Sequence, residues 1–327
     1  QAEDGIRDRS PSRGLGDVYK RQAHMTPSLF SQRLRHRPLI PAGPAPVLGM
    51  PRISPRMAQL CQDNGWGWYD LAGNCHLEIP GMFFLERTGL EPIQRDRHTE
   101  ANLSTPESGR IVRALLAPEN AGRRWTQREV VEHFHRLAFP VPAPSLALVN
   151  KVVQYLRDQA MVENTPSSGF RVCDHEGLLQ MWTKSYRFDR QIQRRYFTLL
   201  KEPEVLHRLQ SLQRELTYAL AVFSAANVQA PHVRQPRMWL YGDPAQESRL
   251  ATYLEARSVD SGHNVVLLLS EDQGVFYQLE QSDLAPVCTN TIQTYADLVH
   301  VGSRGQEAAD ALLTQRLRPQ WKESIHE

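Results

Sequence analysis

Residues 144–172, PSLALVNKVVQYLRDQAMVENTPSSGFRV, run from a helix straight into a short polar hairpin. Pro144 disfavours helix upstream, and Ser145 can cap the free N–H groups of a first turn. Val149, Val152, Val153 and Leu156 then recur at i, i+3, i+4 and i+7, which predicts one buried stripe. The opposite face carries Ser145, Ala147, Asn150, Lys151 and Gln154, the small, amide and cationic side chains that reach base edges and phosphates. The spacing ends this helix near Met161. MVENTPSSGFRV then reads as two strands around a Thr-Pro-Ser-Ser-Gly turn.

Two more helices are predicted upstream. ESGRIVRALLA (107–117) sets Ile111 with Leu115, and Val112 with Leu116, at helical spacing. TQREVVEHFHRLA (126–138) opens with Thr126 and Glu129 three residues on, a capping box that satisfies two orphan N–H groups. Three helices and a hairpin across 105–173 make up a winged helix-turn-helix module. Asn150, Lys151 and Gln154 would face a major groove, and Arg171 on the wing would lie near the backbone. A three-helix packing unit without a nucleic-acid role has the same pattern.

Downstream the chain alternates strands with helices. DHEGLLQMWTKSYRF reads as an amphipathic helix, followed by the densest positive run, Arg187, Arg190, Arg194 and Arg195. That run is either a phosphate clamp or a solvated connection. YALAVF, RMWLYG, NVVLLLS, GVFYQLE and APVCT read as strands, and the apolar run NVVLLLS is typical of a strand buried on both faces. DPAQESRLATYLEAR, TIQTYADLVHVG and GQEAADALLTQRL read as helices. The expected class is α+β, an N-terminal winged helix-turn-helix module followed by a mixed α/β C-terminal domain. The expected divisions are 57–104 (helix, hairpin and linker), 105–173 (winged helix), 174–195 (connecting helix with basic cluster) and 196–327 (C-terminal domain).

Residues 1–56 are set apart. The first 22 resemble translated sequencing-adapter read-through and are excluded from fold reasoning, and 23–56, rich in proline and arginine, are expected to lack order. The natural start is then Met25, Met50 or Met57. Trp66, Trp68 and Tyr69 are either core anchors or a base-stacking platform. Charge is uneven: residues 101–215 hold 17 Lys+Arg against 12 Asp+Glu, and 216–327 hold 8 against 13. A basic middle suits an anionic partner, and an acidic end suits a different one.

Several segments together resemble one family: GWGWYDLAGNCHLEI (65–79), SLALVNKVVQYLRDQAMVE (145–163), LLQMWTKSYRF (178–188), LAVFSAANVQAPHV (220–233), GHNVVLLLSEDQGVF (262–276) and TIQTYADLVHVGSRGQEAADALL (291–313). They are similar to the AbiEi-like antitoxins of type IV toxin–antitoxin systems over roughly residues 57–320. The most specific piece is Gln293, Thr294, Tyr295, Asp297, Leu298, Arg304, Gly305, Glu307, Ala308 and Ala309. The resemblance implies a bacterial transcriptional regulator that binds operator DNA, represses its own operon and antagonises a nucleotidyltransferase (AbiEii-like) toxin. Gln293, Asp297, Arg304 and Glu307 are the candidates for the partner-facing surface. The same pattern could instead lock the last helices onto the sheet. FPVPAP (139–144) departs from the family's shorter turn.

Other chemistry is poorly supported. Cys61, Cys75, Cys173 and Cys288 have neither zinc nor disulfide-framework spacing. No cofactor or metal is expected. A metal-dependent nuclease would need converging carboxylates with a lysine; Asp243, Asp260, Glu271, Asp272 and Glu280 are present without that motif. No G-x-S-x-G elbow or phosphate loop occurs. No apolar run is long enough to span a membrane, and the cytoplasm is the expected compartment. A stand-alone protein-interaction module is the alternative to a regulator.

Overall fold

A computed structural model describes residues 27–35, 46–79, 81–90, 101–137, 141–165, 169–212, 215–282 and 285–326. The sequencing-adapter resemblance, the centre of the wing turn (166–168) and part of the FPVPAP segment (139–140) lie outside them. The chain divides into two units, Gln1–His98 and Thr99–Glu327.

In the first unit α1 (Pro27–Arg35) and α2 (Pro55–Asp63) accompany a sheet of β1 (Val47–Met50), β2 (Gly67–Asp70), β3 (Cys75–Ile79) and β4 (Phe83–Arg87), in that order. Residues 27–35 and 46–50, assigned by composition to an unfolded segment, thus form a helix and a strand. The local reason is aromatic: Phe30 is buried and meets Trp66 edge-on at 5.3 Å, while β1 pairs parallel with β2. Trp68 is buried and Trp66 packs against the same cluster, so both are core anchors; Tyr69 is exposed.

The second unit starts earlier than the linker reading allowed. Ala101 and Leu103 are already part of its core. Thr105 caps α3 (Pro106–Leu116), its hydroxyl accepting from Ser108 N at 3.3 Å. Thr126 and Glu129 form the expected capping box on α4 (Gln127–His135): Thr126 N donates to Glu129 Oε2 at 2.6 Å, and Glu129 N to Thr126 Oγ1 at 3.2 Å. Ser145 caps α5 (Leu146–Asp158) through Leu148 N at 3.2 Å. The helix ends before Met161 because Ala160, at φ +58°, turns left-handed and lets Met161 N reach back to Leu156 O. The hairpin follows as β5 (Val162–Asn164) and β6 (Phe170–Val172), antiparallel. Trp125, just ahead of α4, forms an antiparallel bridge to Phe170 with two 2.7 Å hydrogen bonds.

After α6 (His175–Ser185) the described residues build a seven-stranded sheet from β7 (Ile192–Phe197), β8 (Tyr218–Leu220), β9 (Met238–Gly242), β10 (Arg257–Ser258), β11 (Val265–Leu269), β12 (Glu280–Ser282) and β13 (Ala285–Cys288), ordered β10-β7-β11-β9-β8-β13-β12. The run Val265–Leu269 is buried on both faces, as its unbroken apolarity predicts. The reason is a helical layer on each side. On one face the Tyr218 hydroxyl donates to Leu209 O of α7 (Glu202–Leu212), and the Tyr196 hydroxyl to Glu247 of α9 (Glu247–Tyr253) at 2.7 Å. On the other, Trp239 meets Phe223 of α8 (Val222–Gln229), and Tyr241 meets α10 (Thr291–Leu298). Helices α11 (Ser303–Leu312) and α12 (Arg318–His326) close the chain.

Two strand expectations are corrected. YALAVF stops at Leu220, because Val222 at φ +48° turns the chain directly into α8. GVFYQLE is not a strand over its first half: Asp272 accepts from Gly274 N at 2.8 Å and starts a 3₁₀ turn, Gln273–Phe276. Val275, Phe276 and Tyr277 are driven into the core from that turn, and strand pairing resumes only at Glu280.

The three-helix unit and the sheet are not separate bodies. One contiguous core runs from Ala101 to Trp321. Trp321 of α12 is buried and its indole N–H donates to Leu116 O at the end of α3. The boundaries expected at 173 and 195 therefore do not separate independent cores.

Candidate nucleic-acid interface and the network behind it

Helix α5 has two faces of opposite character. Val149, Val152, Val153 and Leu156 are fully buried, each contributing on the order of 1.5–3 kcal/mol. Ser145, Ala147, Asn150, Lys151 and Gln154 are all exposed. Gln127, at the start of α4, donates to Asn150 Oδ1 at 3.4 Å, so the α4 N-terminus borders the same surface. Gln154 is engaged within its own helix, donating to Asp158 and accepting from Arg157 at 3.1 and 2.8 Å. Arg171 is exposed on β6 and pairs across the hairpin with Glu163 at 2.6 Å.

The sequence reading passed over a further basic group. The run RRWTQR (123–128) puts Arg123, Arg124 and Arg128 at the border of this surface, all exposed. Arg123 lies over the Trp125 ring at 3.7 Å. Arg124 precedes Trp125 and Arg171 follows Phe170, so the antiparallel bridge sets these two cations on neighbouring strands. The signal was the charge density itself, hidden because the capping box drew attention to Thr126 and Glu129.

Arg187, Arg190, Arg194 and Arg195 are exposed but do not form one clamp. Arg187 is bound by Asp189 through two hydrogen bonds of 2.8 and 2.6 Å, and Arg190 donates to Ser104 O at 3.3 Å. Arg194 and Arg195 are consecutive in β7 and so point to opposite sheet faces. Arg194 faces Glu247 of α9 at 3.6 Å, and Arg195 stands in the row of Trp239.

The four partner-facing candidates also divide. Arg304 and Glu307 are exposed on the first turns of α11, with Glu307 3.2 Å from His232. Gln293 and Asp297 are 0% exposed and cannot meet a partner. They hold the two halves of this unit together. Asp297 Oδ1 accepts from the Tyr186 and Tyr241 hydroxyls at 2.9 and 3.0 Å and from Gln293 Nε2 at 2.8 Å. Gln293 Oε1 accepts from Arg113 Nε of α3 at 2.6 Å. Arg113 and Arg110 both reach Asp272, at 3.5 and 2.9 Å. Burial outweighs the three hydrogen bonds and Arg113, and raises the Asp297 carboxyl to about 7.

Most of the rest of the Gln293–Ala309 pattern is structural too. Thr294 shares a 2.8 Å hydrogen bond with Thr289, and Tyr295, Leu298, Ala308 and Ala309 are buried. A Cβ on Gly305 would stand 2.1 Å from Leu298 O, so only glycine lets α11 approach α10 this closely.

Two carboxylates of the nuclease alternative are otherwise engaged: Asp272 with the two arginines, and Glu280 with Thr291 N at 3.0 Å and Arg316 at 3.6 Å. Among the described residues no group of three or more His, Cys, Asp or Glu side chains could hold a metal ion, and no helix is long and apolar enough to cross a membrane.

Residues 171–318 match the family model described as "Transcriptional regulator, AbiEi antitoxin, Type IV TA system". The match starts at Arg171, within the hairpin, and takes in the whole sheet. No curated protein and no solved structure matches the chain.

Proposed function

The chain is AbiEi-like over residues 171–318, and from that premise we propose that it is a DNA-binding transcriptional regulator that reads its operator with α5. In this reading α3, α4, α5 and the β5–β6 hairpin are a winged helix-turn-helix, with the Trp125–Phe170 bridge as its third strand. The observation that carries it is α5 itself: a capped helix, fully buried along one stripe, offering Asn150, Lys151 and Gln154 to solvent beside Gln127, Arg124 and Arg128. Amides read adenine edges and cations read guanine edges or phosphates. The surrounding arginines supply the sequence-independent part of the affinity.

The protein represses its own operon and antagonises a nucleotidyltransferase toxin of the AbiEii-like kind, which meets the exposed side of α11 at Arg304 and Glu307. The acidic balance of residues 216–327 supports a protein rather than a DNA partner there, since the dense charge of a DNA backbone would be repelled. The DNA half is tested by gel shift of the full chain with the DNA immediately upstream of its coding sequence. A retarded complex at low salt, competed poorly by unrelated DNA, is expected; no complex at low salt defeats the reading.

A further inference from the structure

A cleft of about 710 Å³ opens on the sheet face that carries Tyr241, between the segment after α6, the start of α8 and the end of α10. Trp239 and Gln193 line it from the sheet, and Phe223 lies 6.4 Å from the Trp239 ring. Phe188 and His300 form a further wall, their rings stacked 9° from parallel. The proposed regulator reading uses none of these aromatics.

The cleft also has a charged end. Arg187 is neutralised locally by Asp189, but Arg237 on the rim is exposed and forms no ion pair among the described residues. Arg195 shares a sheet face and a cross-strand row with Trp239 but stands outside the cleft lining, donating to Asp260 O at 3.5 Å.

We propose that this cleft binds a nucleoside phosphate, its base against Trp239 and its phosphates toward Arg237. Aromatic faces accept any base by stacking, and guanidiniums suit phosphate oxygens in paired hydrogen bonds. The amides of Gln193 and Gln235 line the same space and can bond base edges. The volume is in the range of small-ligand sites. A simple anion would satisfy Arg237 and leave the aromatic walls wet, whereas an uncharged ring would do the reverse. The wall residue Tyr186 places its hydroxyl on Asp297, so the cleft adjoins the network that reaches Arg113 in α3.

Calorimetric titration of the full chain with ATP and, separately, with pyrophosphate tests this. ATP is expected to bind saturably and more tightly than pyrophosphate. Arg237→Ala, a change at an exposed position, is expected to weaken ATP by about tenfold or more with an unchanged melting temperature. Trp239→Leu is expected to bring ATP down to the affinity of pyrophosphate. No saturable ATP binding, equal affinity of ATP and pyrophosphate for the wild type, or an Arg237→Ala protein that binds ATP normally would each overturn the proposal.

Discussion

At Asp297 one carboxylate oxygen takes three hydrogen bonds, while Oδ2 is buried with no partner among the described residues. The nearest cation, Arg113, spends its Nε on Gln293. A carboxyl so placed favours its protonated form, which is the physical meaning of a pKa raised from 3.8 to about 7. The folded state therefore binds the proton more tightly than the unfolded chain. Stability from this group is complete below pH 4, falls as pH rises, and is lost once pH passes 7. Asp297→Asn imitates the neutral acid at every pH. The difference in unfolding free energy between Asp297→Asn and wild type is predicted to move in the variant's favour between pH 4 and 7, by up to roughly 4 kcal/mol. Urea unfolding at a series of pH values measures it. A difference that stays flat across that window contradicts the assignment.

Among the elements, α5 joins helix stability and the proposed DNA contact at its N-cap, Ser145. The Ser145 hydroxyl caps Leu148 N, and the same side chain lies on the exposed polar face. Ser145→Ala is predicted to cost about 1 kcal/mol in denaturant unfolding. Ser145→Asp keeps a capping oxygen and so keeps stability, but sets a negative charge against phosphate and is predicted to weaken DNA binding more than Ser145→Ala does. Equal DNA affinities for the two variants would remove Ser145 from the interface. These helices were legible in the sequence because caps and stripes are local: Thr126 with Glu129 and Val149 with Val152 lie within a turn or so of each other. What stayed hidden was non-local. Gln293 and Asp297 look like surface residues until Arg113, Tyr186 and Tyr241, far away in the chain, are seen beside them. The strand expected at 274–280 failed likewise, because Arg110 and Arg113 hold Asp272 in a turn. The arginine cluster dissolved because consecutive residues of a strand face opposite ways.

In the second unit, helices α3, α4 and α5 and the sheet share one core within Thr99–Glu327. Cutting after Leu199 would strip the sheet from α3, remove Trp321 from Leu116 O and take Gln293 and Asp272 away from Arg113. Breaking a buried ion pair alone costs about 3–5 kcal/mol, a large part of an ordinary domain's stability. A fragment of residues 99–199 is therefore predicted to lack a cooperative unfolding transition by near-ultraviolet circular dichroism, whereas 99–327 retains one. A folded 99–199 fragment would show that the helices stand alone.

Whether α5 reads DNA is measured by the salt dependence of binding to the upstream fragment, by fluorescence anisotropy, for wild type, Lys151→Ala and Asn150→Ala. Lys151→Ala is predicted to weaken every sequence alike and to lower the slope of log K against log salt by about 0.9, one phosphate contact. Asn150→Ala is predicted to leave that slope unchanged and to lose roughly 1–3 kcal/mol of preference for the upstream sequence over scrambled DNA. Wild-type slope and preference in both variants would move the interface off α5.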